Sequence, residues 1–404
     1  MWTCPICKTT NETDKCRSCG FDLSKDYTMH RSLCQLSASG RKIFKPAQPG
    51  DNILMASSNT DYVFGRKMDR TKITTIYFRN KKENIGEDAW DVSEKQNGSI
   101  MAWTEQNEDG LLDLYIAANG NIMANKDASN MFCKYTQLEN ISGLEFLQTG
   151  RVKDMSHMFG LCENLISLDV SHFDTSQVMN MSGMFSDCYR LKSLDISHFD
   201  TSQVTDMRGM FIDCYGLKSL DVSHFNTSQV TDMSYMFSMV KNLFFSHWEG
   251  NSLVNLDVSH FDTSQVRNME SMFEACNNLI NLDVSHFDTS QVRSMQGMFM
   301  DCHNLVNLDV SHFDTSHVIK MNWMFAGCHD LRNLDVSRFD TSQVRHMASM
   351  FKGCYNLIDL DVSHFDTSSV KGLSASLSEY FDIPEGVRLK TKKLGGLFRK
   401  FWGS

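Results

Sequence analysis

Two sets of residues in this chain have the type and spacing to do chemistry. The first is Cys4-x-x-Cys7, followed after eight residues by Cys16-x-x-Cys19. Two such knuckles supply four thiolates suited to tetrahedral zinc, and a closed all-sulfur shell leaves no open position for water. One structural zinc ion is therefore expected, bound by Cys4, Cys7, Cys16 and Cys19, and its binding would supply most of the folding energy of so short a module. A redox dithiol pair or a four-thiolate iron site is the alternative for the same residues. His30 and Cys34 lie nearby in sequence but are not needed by a filled shell.

The second set forms rows. Asp169, Asp195, Asp221, Asp257, Asp283, Asp309, Asp335 and Asp361 are each followed two residues on by serine and three on by histidine, with Arg338 replacing the histidine once. Carboxylates about 5 Å apart repel by about 0.8 kcal/mol in water and by several times that at lower effective dielectric. The row must then be solvated, hydrogen-bonded or neutralised. Two readings stay open. The carboxylates bond to adjacent loops and hydroxyls, or they form an acidic, histidine-rimmed face for a partner, with Asp221, Asp257, Asp283, Asp309, Asp335, His260, His286 and His312 as the candidates. A catalytic triad needs Ser, His and Asp converging beside an oxyanion site, and equivalent copies give rows rather than a convergence. No phosphate loop, His-Glu-x-x-His helix or dinucleotide fingerprint is present, so the chain is expected not to be an enzyme.

These rows exist because one stretch repeats. Leu191-Lys-Ser-Leu-Asp-Ile-Ser-His-Phe-Asp-Thr-Ser-Gln-Val-Thr-Asp-Met-Arg-Gly-Met-Phe-Ile-Asp-Cys214 recurs with little drift, placing phenylalanine at 159, 185, 211, 237, 273, 299, 325 and 351, a period of 26 broken once by ten extra residues after Phe237. Fixed-period self-similarity predicts a stacked solenoid whose copies bury one another's apolar faces. Within a copy, Leu220-x-Val222 alternates at strand period. Val230, Met233, Met236 and Phe237 fall on one stripe of a short helix, with Thr227 and Ser228 placed to cap its start. Seven cysteines, Cys162, Cys188, Cys214, Cys276, Cys302, Cys328 and Cys354, each follow the phenylalanine by three. Equivalent positions and an odd number predict a buried thiol ladder rather than disulfides. The paired methionines read as core, not as a copper site.

The pattern Leu-x-x-Leu-Asp-Val-Ser-His-Phe-Asp-Thr-Ser-x-Val-x-x-Met-x-x-Met-Phe-x-x-Cys resembles the BspA-like leucine-rich-repeat surface proteins of bacteria. The resemblance covers roughly residues 74 to 370, including an entry segment with Ala89-Trp-Asp-Val-Ser93, Asp113-Leu-Tyr-Ile-Ala117 and Asn121-Ile-Met-Ala124. It implies binding and adhesion in general, with no defined ligand. The four-cysteine segment resembles the short zinc ribbons that begin many bacterial proteins. The expected fold class is α/β: a leucine-rich-repeat-like solenoid of strand plus short helix repeats, with a β-rich N-terminal cap and a small zinc ribbon.

Along the chain, residues 1–22 are expected to be the ribbon, 23–60 a linker, 61–130 the cap, 131–370 the solenoid and 371–404 a C-terminal cap and basic tail. Thr74–Phe78, Ser99–Trp103 and Leu112–Ile116 read as strands of the N-terminal cap. Met131-Phe132 opens a worn first copy, with Tyr135 where later copies have cysteine. The insertion at 238–252 is expected on the surface, where Phe244, Phe245 and Trp248 either anchor a partner or fold back on neighbouring copies. Leu373–Phe381 reads as a capping helix and 382–389 as a closing strand.

Among the 404 residues the formal net charge is −10, which disfavours nucleic-acid binding and suits a protein partner; a glycan is a second candidate. The tail from Arg388 to Trp402 carries six basic residues and no acid, a composition that can hold an acidic membrane surface, although Gly395-Gly396 weakens any helix there. The N-terminus has no apolar run of signal-peptide length and no window approaches a membrane span. A cytoplasmic location is expected, with the cell surface as the alternative that the resemblance implies.

Overall fold

The computed structural model describes residues 52–57, 59–240, 253–370 and 380–391, together with the short pairs 2–3 and 10–11. The pair Trp2–Thr3 runs antiparallel to Thr10–Asn11. Cys4, Cys7, Cys16 and Cys19 lie outside the described residues, as do Phe244, Phe245, Trp248 and most of the tail.

The cap forms where β-branched and aromatic residues concentrate. Its five-stranded sheet runs in the order Asn140–Ser142, Ile73–Arg79, Leu112–Ala118, Ile100–Gln106, Trp90–Asp91. The first two junctions are parallel and the last two antiparallel. Alternation divides its faces: Ile76, Phe78, Leu114, Ile116, Ile100 and Ala102 enter the main core, whereas Trp103, Tyr115 and Ala117 form a small cluster on the other side. The expected linker ends earlier than residue 60. Leu54 is fully buried, and its N–H donates to Met123 O while the Met55 N–H donates to Val92 O; the apolar run Ile53-Leu54-Met55 draws this stretch into the cap.

From the cap the chain proceeds in successive turns, each bonded to the next. One ladder of parallel bridges passes through Asp127, Asp154, Asn180, Asp206, Asp232, Asn268, Ser294, Lys320 and His346. On the leucine side, pairing is limited to short strands such as Ser167–Leu168 with Ser193–Leu194, and to single bridges such as Asn281 to Asn307 to Asn333. Asp359–Asp361 pairs in parallel with Arg388–Lys390, and the pairs Arg388–Asp359 and Lys390–Asp361 close at 2.6 Å.

The repeats contain no α-helix among the described residues, which corrects the strand-plus-helix expectation. Between Met155 and Cys162 the N–H groups alternate. Those of Met158, Gly160 and Cys162 close turns within the copy, onto Met155, His157 and Phe159. Those of Met155, His157, Phe159 and Leu161 donate to Asn180, Ser182, Met184 and Ser186 of the next copy at 2.8–2.9 Å. Residues at positive φ recur on this path, including His157 (φ 51), Leu161 (φ 60), Gly183 (φ 59) and Asp187 (φ 59), and a right-handed helix cannot contain them. Packing supplies the reason. Strands stack about 4.8 Å apart whereas helices need about 10 Å, so a helix on one side would spread the copies there and bend the stack. A chain of turns keeps one spacing on both sides. Thr227 and Ser228 accordingly cap no helix: the buried Thr227 hydroxyl donates to Asp262 O at 2.9 Å, and Ser228 bonds to Asn226.

Equal spacing lets identical residues stack. Phe159, Phe185, Phe211, Phe237, Phe273, Phe299, Phe325 and Phe351 are fully buried, with neighbouring centroids 5.6–5.9 Å apart and planes within 8°. The seven cysteines of the repeats are free and buried. Each thiol donates to the phenylalanine carbonyl of the preceding copy, as in Cys302 Sγ to Phe273 O at 3.1 Å. Burial pushes the Cys302 and Cys354 thiols up to about 12, so the ladder is inert packing rather than reactive sulfur.

Candidate functional site

The leucine-side row is the polar face singled out by the repeat. Asp221, Asp257, Asp283, Asp309 and Asp335 are all exposed. In each, Oδ1 accepts the backbone N–H of the serine two residues on, at 2.9–3.0 Å; at Asp257 and Asp309 it also accepts the serine hydroxyl at 2.7 Å. The Asp-x-Ser spacing makes a side-chain turn that holds the chain after each short strand. Hydrogen bonds from the serine side chain and then its N–H favour the ionised form and lower all five carboxyls below their ordinary value. The face is a regular column of carboxylates, each with one oxygen committed to its own turn.

The histidines are placed differently from a simple rim. His260 and His312 stand edge-on to Phe261 and Phe313 at 5.1 and 5.0 Å. His260 Nε2 lies 2.8 Å from Val222 O of the preceding copy, and His312 Nε2 is buried without a hydrogen-bond partner among the described residues. His286 is exposed. The imidazoles therefore seal the phenylalanine row as much as they face outward. Ser, His and Asp of one copy do not converge, because serine bonds aspartate while histidine packs on phenylalanine. Among the described residues no group of three or more His, Cys, Asp or Glu is arranged to hold a metal ion. Between Asp169 and Asp195 the face carries an open depression of about 420 Å³ across two neighbouring copies, lined also by Ser167, Ser171, Ser193, Leu168, Val170 and Leu194.

A second exposed row runs beside the inward valines. The residue after each inward valine is exposed at Arg267, Arg293 and Arg345. These side chains make no ion pair among the described residues, and each backbone N–H is bonded one turn back. Their signal lies at a position that varies between copies, whereas the repeat is recognised by the residues that the copies share.

A family described as "Mycoplasma protein of unknown function, DUF285" matches residues 126–248, 241–333 and 302–384. No curated protein matches the chain significantly. Among solved structures, a leucine-rich repeat protein from Bacteroides ovatus ATCC 8483 is 14% identical, with 72% of this chain and 90% of that chain covered and a TM-score of 0.20. No helix among the described residues is long and apolar enough to cross a membrane.

Proposed function

The chain belongs to the DUF285 family, whose model spans more than half of its length, and from that premise we propose that it is a non-catalytic interaction protein that binds a protein partner across the carboxylate column of its turns. In this reading the repeats form a leucine-rich-repeat-like solenoid, and the four N-terminal cysteines hold one structural zinc in a second docking module. The observation that carries it is the repetition of an exposed, ionised carboxylate at Asp221, Asp257, Asp283, Asp309 and Asp335 on consecutive turns. A row of like charges is a standing cost that a basic partner relieves, and such a field also speeds encounter with it.

A second reading is favoured by the repeat motif itself. Its likeness to BspA-like surface proteins supports an adhesin that meets a protein or glycan outside the cell. One experiment addresses both. The full-length chain and an Asp257→Lys, Asp283→Lys, Asp309→Lys variant with an unchanged melting curve are compared for partners captured from lysate and from intact host-cell surfaces. Loss of a lysate partner in the variant supports the scaffold, and loss of surface binding supports the adhesin. Capture that is the same for both chains overturns the carboxylate column as the binding face.

A further inference from the structure

The ladder through Asp154 and His346 changes character along its length. Its early turns carry the half-buried Asp154, Asp206 and Asp232, with Arg208 beside Asp206, while its late turns carry the exposed Arg267, Arg293 and Arg345 of the neighbouring row, with Glu270 paired to Lys320. Burial, and then repulsion from Asp232 and Asp154 set against the nearby Arg208, raises the Asp206 carboxyl above its ordinary value. Asp206 already has Arg208 at 3.7 Å within its own copy, whereas Asp154 and Asp232 make no ion pair among the described residues, so two of the three carboxylates lack a basic partner of their own.

The exposed apolar side chains of this face are also distributed unevenly. Met179 is 48% exposed, Ile319 36% and Trp323 42%. Trp323 is held at φ 59 in a row where the equivalent residues include Gly183, Gly209 and Gly297. A bulky side chain in the left-handed region is costly, and here it stands on the surface.

We propose that this ladder face is a self-complementary interface at which two copies of the chain pair about a two-fold axis lying across the turns, so that the first turn of one copy opposes the last turn of the other. Numbering the turns from Lys153 to Arg345, this operation sets the second against the seventh, the third against the sixth and the fourth against the fifth. Met179 then meets Ile319, while Arg267 faces Thr231 with Asp232 beside it, Arg293 faces Thr205 with Asp206 beside it, and Arg345 comes within reach of Asp154, each twice by symmetry. Trp323 comes to Gly183, across which the His157 ring lies: a β-carbon on that glycine would be 2.3 Å from the imidazole. Gly209 faces Gly297, allowing close approach near the axis. Lys153 opposite Arg345 is the like-charged pair, and Asp154 stands beside it. A two-fold along the ladder would instead lay each arginine on its own copy, so charge selects the antiparallel arrangement.

The strip is about 34 Å long at ~4.8 Å per turn. It is narrow, so the dimer belongs with weak, transient contacts and is most populated at high protein concentration and low salt. It lies on rows distinct from the carboxylate column, so its failure would leave the proposed partner face standing. The test is sedimentation velocity of the full chain against concentration. The wild type should show a salt-sensitive monomer–dimer equilibrium. Arg293→Asp and Asp206→Arg, each checked for an unchanged melt, should each weaken it at least about tenfold. The Asp206→Arg, Arg293→Asp double variant, and an equimolar mixture of the two single variants, should restore it to within about threefold. A chain that stays monomeric at all concentrations, a dimer indifferent to both reversals, or no recovery in the swapped pairs overturns the proposal.

Discussion

Replacing Phe273 by alanine should lower the unfolding free energy by about 3–5 kcal/mol, the range for removing a buried phenylalanine from a close-packed core. Phe273 is fully buried and stacks on Phe237 and Phe299 at 5.8 Å on both sides. Its N–H donates to Met298 O at 3.0 Å, and its carbonyl accepts the Cys302 thiol at 3.1 Å. The cavity therefore opens where two junctions between turns meet, and in a stacked array stability is close to a sum over such junctions. Urea unfolding followed by circular dichroism should show a lower midpoint and a broadened or split transition, as the turns before and after the gap lose their coupling. A sharp transition within about 1 kcal/mol of wild type would mean that the phenylalanine column does not transmit cooperativity.

Arg70→Met should cost a similar amount, about 3–5 kcal/mol, for a different reason. Arg70 is 2% exposed and has no carboxylate partner among the described residues. Its guanidinium donates to the carbonyls of Tyr62, Asn130, Cys133, Ser57 and Asn59 and to the Ser57 hydroxyl, at 2.6–3.3 Å. It also lies 5.1 Å from the Tyr135 ring centroid. In the next turn, Gly160 O accepts the Lys134 N–H from the copy before it. Cys133 O occupies the matching position in the first copy, where no earlier copy exists, and Arg70 Nη1 fills the gap at 2.8 Å. Methionine preserves the stem but strands several buried carbonyls at once. Thermal unfolding should register the loss, with Arg70→Lys in between because an ammonium cannot span so many acceptors. A melt for Arg70→Met indistinguishable from wild type would show that the cap does not terminate the ladder through this residue.

The repeat, the strands Ile73–Arg79, Ile100–Gln106 and Leu112–Ala118, and the buried thiols were legible in the sequence because each depends on a local pattern: fixed period, alternation or equivalent placement. The helix was misread at Val230, Met233, Met236 and Phe237. Offsets of three are compatible with a helix, but successive inward residues continue at three through Cys and Leu, as in Met155, Met158 and then Phe159, Cys162, Leu165. That period belongs to consecutive turns, each joining one inward residue to the next, and the positive-φ residues between them include Gly183, Gly209 and Gly297. The competition between helix and turn is decided by the spacing of neighbouring copies, which a single copy does not display. The exposed Asp column was legible as a row, but the edge-on packing of His260 and His312 was not, since it depends on a carbonyl and a ring contributed across turns. Arg70 gave no sequence signal at all; its role comes from the unpaired end of a ladder whose pairing appears only in three dimensions.

The central claim is that successive copies bury and bond one another in register, turn upon turn. Its most direct measurement compares two internal deletions by urea unfolding. Removing residues 279–304 takes out one period and rejoins Asn278 to Leu305, the same junction type; that chain should fold cooperatively, with a denaturant slope reduced in proportion to the surface of one lost turn. Removing residues 279–291, half a period, joins Asn278 to Val292 and sets every later apolar residue against the wrong neighbour, so the downstream turns should lose cooperative unfolding. Equal tolerance of both deletions, or equal collapse, would contradict the account.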